Sequence, residues 1–160
     1  TDRMLLEPAR PLSSLAAAEQ LEQQIAEAVA QGATYVTASS RKGATFPPGV
    51  LTGVARDNAV YFEEIFGPVA VVHRVSDETE AITLANDSPF GLGSYVFTTD
   101  PGQAQRIADQ LEAGMVFVNG VSVEGPELPF GGIKRSGFGR ELGRFGIDEF
   151  VNKKLIRVVR

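Results

Sequence analysis

The chain has 160 residues, the size of one domain with a single sizeable hydrophobic core. With 43% hydrophobic and 22% charged residues general disorder is disfavoured, and 15 Lys plus Arg against 20 Asp plus Glu give a net charge of −5 without a basic tract, which argues against generic binding to nucleic acid or anionic membrane. There is no cysteine, which excludes disulfides, thiolate metal sites and a cysteine nucleophile from this chain, and no apolar run approaches the ~20 residues that span a bilayer.

Residues 1–13, with Pro8 and Pro11, read as an extended lead-in, and the opening Thr1-Asp2-Arg3-Met4 is neither a signal peptide nor an initiator start, so a processed or excised piece is expected. From Ser14 the pattern becomes helical. Leu21, Ile25, Ala28 and Val29 fall on one face, with Ser13 or Ser14 as cap and Gly32 as stop. Thr34 to Ala38 is β-branched and aromatic and predicts a strand; a polar turn at residues 39–43 and the breaker Phe46-Pro47-Pro48-Gly49 precede a second at Val50-Leu51-Thr52. Val69 to Val75 is nearly continuous apolar residue, as expected of a strand buried on both faces, with His73 inside it.

Ser76-Asp77-Glu78 opens a helix with Ala81, Ile82 and Ala85 on its apolar side. Ser94 to Thr98 predicts the next strand. Asp100-Pro101 then caps a helix with the stripe Ala104, Ile107, Ala108 and Leu111, followed by a buried strand at Met115 to Val118. This alternation implies an α/β fold with an open, mostly parallel sheet and flanking helices. Residues 119–139 form a long glycine-rich loop, Arg140 to Phe145 looks like one or two helical turns, and Val151 to Val159 predicts a terminal strand. Its Lys153, Lys154 and Arg157 protect a sheet edge or accompany addition to a partner's sheet.

The loop Gly131 to Gly139 has neither the phosphate-loop order nor the dinucleotide fingerprint, and a tight multi-turn loop explains it as well. His73 is the sole histidine, so neither a triad nor a metal constellation can be built on it. Glu64, of the Glu63-Glu64 pair, stands before a buried strand with Gly67-Pro68 fixing the backbone beyond; a solvated turn is the alternative. Asn119 lies at the carboxyl end of a strand, where open α/β sheets place ligands, though a turn-initiating Asn fits equally. Phe130 is a core aromatic or the wall of a pocket.

Four collinear blocks carry a family resemblance: Glu63-Glu64-Ile65-Phe66-Gly67-Pro68-Val69; Ala85-Asn86-Asp87-Ser88-Pro89-Phe90-Gly91-Leu92-Gly93; Val116-Phe117-Val118-Asn119-Gly120; and Leu128-Pro129-Phe130-Gly131-Gly132-Ile133-Lys134-Arg135-Ser136-Gly137. Together they resemble the aldehyde dehydrogenase superfamily over residues 12 to 158, and the run from Lys134 to Phe150 is most similar to bacterial succinate-semialdehyde dehydrogenases. The resemblance implies oxidation of an aldehyde to a carboxylic acid with NAD or NADP in a cytoplasmic dimer or tetramer. It implies that Glu64 hydrogen-bonds the nicotinamide ribose, that Phe66 packs beside that end of the cofactor, and that Asn119 and Phe130 border the substrate. The loop 120–128 would set which aldehyde fits. Glu124 and Glu127 stand where many relatives carry aromatic or neutral residues, and a carboxylate facing the pocket would repel an anionic substrate.

By the same resemblance the attacking Cys, the general-base Glu and the dinucleotide domain lie before residue 1, so no catalytic residue is assigned here. Residues 1–148 would be the C-terminal portion of the catalytic domain, inactive alone, and 149–160 a β-strand of the oligomerisation arm. Two other readings compete. One is a truncated, catalytically inactive paralogue serving as an interaction module; the other is an unrelated α/β ligand-binding domain, which leaves the four blocks unexplained.

Overall fold

A computed structural model describes residues 10–121 and 125–159, which leaves residues 1–9 of the expected lead-in, and Glu124, outside the described residues. The chain divides after Arg74 into two units. In the first, β1 (Arg10–Pro11) precedes α1 (Leu15–Ala30), which starts where the Ser14 hydroxyl accepts from the Ala17 N–H at 3.0 Å. Leu21, Ile25 and Ala28 are buried at the expected period, joined by Ala18, whereas Val29 lies off the stripe and is exposed. Gly32, at φ +100, turns the chain into β2 (Thr34–Thr37), and β3 (Thr45–Phe46) pairs antiparallel with β1.

The central strand of the first sheet is β4 (Gly49–Thr52), antiparallel to β2 and parallel to β5 (Val69–Val72), with Leu51 opposite both Tyr35 and Val71. Leu21, Ile25, Phe46, Leu51, Val60 and Val69 pack into one core. The sheet is thus mixed where a mostly parallel one was expected. The expectation for Val69 to Val75 also needs correcting: β5 ends at Val72, Val71 and Val72 are exposed, and His73 lies beyond the strand in an exposed position. β5 closes the sheet on one side and contributes only Val69 to the core, so its apolar run is not covered on two faces here.

Buried Asn58 ties the stretch leading to Glu64 onto α1. Its Nδ2 donates to the Ala28 carbonyl at 2.9 Å, and its Oδ1 accepts from the Val60 N–H at 3.2 Å. Asn58→Ala is expected to cost about 1.5 kcal/mol in denaturant unfolding, because the buried Val60 N–H loses its acceptor; a change near zero would show that water replaces the amide. On the surface, Arg41 donates to Glu22 at 2.6 Å and holds that carboxyl below the ordinary range, chiefly through this hydrogen bond.

In the second unit Asp77 caps α2 (Glu78–Asn86) by accepting from the Glu80 N–H at 2.8 Å. Ala81 and Ile82 are half-buried on this helix, but Ala85 is exposed, so its apolar side is narrower than its sequence suggests. After β6 (Phe90–Gly91), β7 (Gly93–Val96) runs through α3 (Pro101–Ala108) to β8 (Met115–Val118), and β7 and β8 pair in parallel as the strand–helix–strand pattern requires. Asp100 caps α3 by accepting from Gly102 and Gln103, with Pro101 in the first turn. Arg106 and Gln103 reach back to Glu78, and those hydrogen bonds, Arg106 first, keep its carboxyl low.

The glycine-rich loop returns to β6 through β9 (Ile133–Lys134), antiparallel. The helical turns expected from Arg140 to Phe145 sit slightly later, as α4 (Gly143–Gly146) and a 3-10 turn over Ile147–Phe150. No strand forms between residues 151 and 159 in this chain. A strand needs a neighbouring strand to accept its hydrogen bonds, and Leu155, Ile156, Val158 and Val159 are all exposed. Among the described residues no helix is long and apolar enough to cross a membrane.

Candidate functional site

In the first unit Ile65 packs against the core while Glu64 and Phe66, one residue to either side, are exposed. Phe66 is 82% exposed. The backbone carrying them is well fixed. Gly67 lies directly on the Leu21 side chain, which leaves no room for a Cβ, and its N–H donates to the Ile65 carbonyl at 3.1 Å. Glu63 is held by Gln24, which donates to its carboxylate at 3.0 Å. Glu64 and Phe66 are therefore exposed on a turn pinned at Glu63 and Gly67, one offering a carboxylate, an acceptor only, and the other an apolar ring.

In the second unit Phe130 lines a cavity of about 500 Å3 together with Tyr95, Phe117, Leu128 and Leu142. Tyr95 and Phe117, cross-strand partners on β7 and β8, stack at 5.6 Å and form part of it. Phe130 is placed by a two-way backbone bridge: its N–H donates to the Glu141 carbonyl at 2.8 Å and the Glu141 N–H donates back at 2.7 Å. Beneath the loop, Gly114 touches the backbone of Gly131 and Gly132 so closely that a Cβ would overlap the Gly131 carbonyl. Two non-glycine residues of this region have left-handed φ: Lys134 at +56 and Leu142 at +61, the latter with ψ −179, a region essentially restricted to glycine and costing about 1–3 kcal/mol.

Asn119 does not share the Phe130 cavity. It lines a separate one of about 800 Å3 with Phe97, Thr98 and Gln105, and its side-chain amide is committed elsewhere. Oδ1 accepts from the Thr98 N–H at 3.0 Å and Nδ2 donates to the Thr98 carbonyl at 2.8 Å, so the side chain prolongs the β7–β8 ladder by one residue beyond Val118. At φ +54 Asn119 takes the left-handed conformation that Asn tolerates, which joins the turn-initiating and strand-end readings of this residue. Glu127 is exposed, and Glu124 lies outside the described residues. Sequence reasoning missed Gly114, Lys134 and Leu142. Among the described residues no three His, Cys, Asp or Glu side chains gather as metal ligands.

The model of the aldehyde dehydrogenase family matches residues 9–156. The chain belongs to the aldehyde dehydrogenase family. One similar protein, the NADP(+) succinate-semialdehyde dehydrogenase of Deinococcus radiodurans, is 52% identical to this chain over 150 residues, which cover 92% of the chain and 31% of the relative. The crystal structure of succinic semialdehyde dehydrogenase from Streptococcus pyogenes in complex with NADP+ has a TM-score of 0.86 at 42% identity, covering 94% of this chain and 34% of that one. That of an NAD-dependent aldehyde dehydrogenase from Sinorhizobium meliloti gives 0.79 at 36%, covering 88% and 28%. The chain thus spans about a third of the length of the relatives it matches.

Proposed function

We propose that these residues serve an NADP- or NAD-dependent dehydrogenase that oxidises an aldehyde, succinate semialdehyde first among those to test, to the carboxylic acid. The observation that carries this reading is the exposed Glu64–Phe66 pair on its pinned turn, within a chain that is 52% identical to an NADP(+) succinate-semialdehyde dehydrogenase. The pair fits the nicotinamide end of such a cofactor. The Glu64 carboxylate can accept from two vicinal ribose hydroxyls at once, and the Phe66 ring offers an apolar face for the nicotinamide to lie against. The bound cofactor supplies a hydride acceptor. In the second unit Phe130 and its cavity receive the aldehyde's carbon chain, with loop 120–128 shaping the surroundings, while Asn119 borders the substrate from the separate cavity that it lines.

The 160 residues contain no cysteine, so a thioester route takes its nucleophile from outside them, and the chain alone is inactive. Residues up to 148 act as part of the catalytic domain. The segment from 149 on, with Leu155, Ile156, Val158 and Val159 exposed, becomes a strand by pairing with a second subunit in a dimer or tetramer.

The test is appearance of reduced nicotinamide when the full-length protein meets a panel of aldehydes with NADP or NAD; no turnover with any of them would refute the reading. Within it, Glu64→Gln is expected to weaken cofactor binding or lower kcat by about tenfold or more, with the melting temperature nearly unchanged, because Glu64 is exposed and supports no packing. A loss of several degrees with normal kinetics would instead make Glu64 a structural residue.

A further inference from the structure

The stretch that carries Glu64 and Phe66 lies along one face of α1 and runs opposite to it. From the end of the helix back toward its start, Gln31 Oε1 accepts from the Ala59 N–H at 2.7 Å, the Ala28 carbonyl accepts from Asn58, Gln24 donates to Glu63 at 3.0 Å, and Leu21 lies under Gly67. These positions are spaced by three, four and three residues, so they form one stripe on the helix. Leu21 alone among them acts by volume. It is 2% exposed and packed into the core, so its side chain has no free space to swing into, and a Cβ on Gly67 would overlap its Cδ2.

The main chain on the two sides of Gly67 is not equally free. Beyond it the Pro68 carbonyl accepts from the Gly49 N–H at 3.0 Å, and Val69 is buried in the core and paired with Gly49 across β4 and β5. Before it come Phe66 and Glu64, both exposed, with Ile65 between them packed on the core. A displacement of Gly67 therefore passes to the Phe66 side, because the other side is tied into the sheet. Gly67 is not among the glycines at positive φ, so alanine suits its backbone and an added methyl acts through Leu21.

We propose that Leu21 is a positioning residue for the cofactor: by setting how far Gly67 stands from α1, it sets where Glu64 and Phe66 meet the nicotinamide ribose and ring. This rests on the reading of Glu64 and Phe66 as the contacts of that end of the cofactor. Buried beneath the turn, Leu21 acts through Gly67 and not on the cofactor itself. Shortening Leu21 makes room for a methyl on Gly67, so a defect made at one position is repaired at the other.

The experiment titrates NADP and NAD into the full-length protein by calorimetry and records aldehyde KM and melting temperature, in the parent, in Gly67→Ala, and in Gly67→Ala combined with Leu21→Val, Leu21→Ala or Ile25→Ala. Gly67→Ala is expected to raise the cofactor Kd about tenfold and to leave aldehyde KM within about twofold. Either Leu21 change should bring Kd back to within about threefold of the parent, although the protein still melts below the parent because core contacts of Leu21 are lost. Leu21→Val carries the test if Leu21→Ala does not fold. Ile25→Ala, a similar loss of core volume one turn along α1, should lower the melting temperature without repairing Kd. A Kd within about twofold of the parent in Gly67→Ala, a defect that no Leu21 change repairs, or repair by Ile25→Ala as well, overturns the proposal. Glu64→Gln tells the two failures apart: if it binds cofactor and turns over as the parent does, the reading falls and the proposal with it, whereas an impaired Glu64→Gln beside an unrepaired Gly67→Ala overturns the proposal alone.

Discussion

Gly114→Ala is expected to destabilise the protein by about 3 kcal/mol or more and to dislodge the loop bearing Phe130. Gly114 is not among the glycines held at positive φ, so alanine is acceptable to its own backbone; the obstacle is the added methyl, which would overlap the Gly131 carbonyl and approach the Gly132 Cα to 2.9 Å. Main chain cannot rotate aside as a side chain can, so relief must come from moving the Phe130 loop away from the start of β8. Aldehyde KM should therefore rise in the full-length protein while cofactor KM holds. Gly137→Ala is the control: at φ +120 it meets strain but nothing within 4 Å, and should cost only about 1 kcal/mol. Equal losses in the two variants would show that the close approach of the two chain segments is not what holds the loop.

The second large effect is expected at Lys134. Its Nζ donates to the carbonyls of Asn86 and Ser88 at 2.8 and 3.0 Å and pairs with Glu112 at 2.7 Å, with 23% of the side chain exposed. A cation suits this place, where α2 ends and leaves carbonyls without helical partners. Around it Asn86 donates to the Gln110 carbonyl and accepts from the Glu112 N–H, Arg135 N–H donates to Pro89, and the Ser136 hydroxyl accepts from Gly91. Lys134→Met keeps the aliphatic stem and the unfavourable φ but loses the charge, and should cost about 2–3 kcal/mol in urea unfolding. Glu112→Gln, which spares the two carbonyl contacts, should cost less than half of that. A methionine variant as stable as the parent would mean that β9 is held by its backbone pairing with β6 alone.

Much of the fold was legible because the signals were local. Ser14, Asp77 and Asp100 each cap the helix that their sequence position announces, and Met115 to Val118 is a strand with the bounds read from its apolar run. What misled was context beyond the local pattern. The apolar stretch Val69 to Val75 reads as doubly covered, but only neighbours in space decide whether a strand's outer face is covered, and Val71 and Val72 are exposed. The terminal run Leu155 to Val159 has strand composition without a strand, because hydrogen bonding to a partner strand is not a property of the residues themselves.

The site divides similarly. Glu64, Phe66 and Phe130 could be singled out from blocks of matching spacing, and each stands on a pinned backbone with an exposed or cavity-lining side chain. Leu142 could not, since nothing in Glu141-Leu142-Gly143 reveals a left-handed φ that arises from hydrogen bonds to residues 126 and 130.

Asn119 carries a consequence for how the protein ages. It is followed by Gly120, and its amide both donates to and accepts from the Thr98 peptide. Hydrolysis of that amide would replace the donor with a carboxylate oxygen facing the Thr98 carbonyl, turning an attraction into a repulsion at the last rung between β7 and β8. The damage would be covalent and irreversible, and it would fall where the ladder meets the cavity beside Phe97. While both hydrogen bonds last, the amide is held in place against the strand; each transient opening, more frequent on warming, frees it to react. The shelf life of the folded chain is then bounded by the chemistry of one side chain as well as by its unfolding equilibrium.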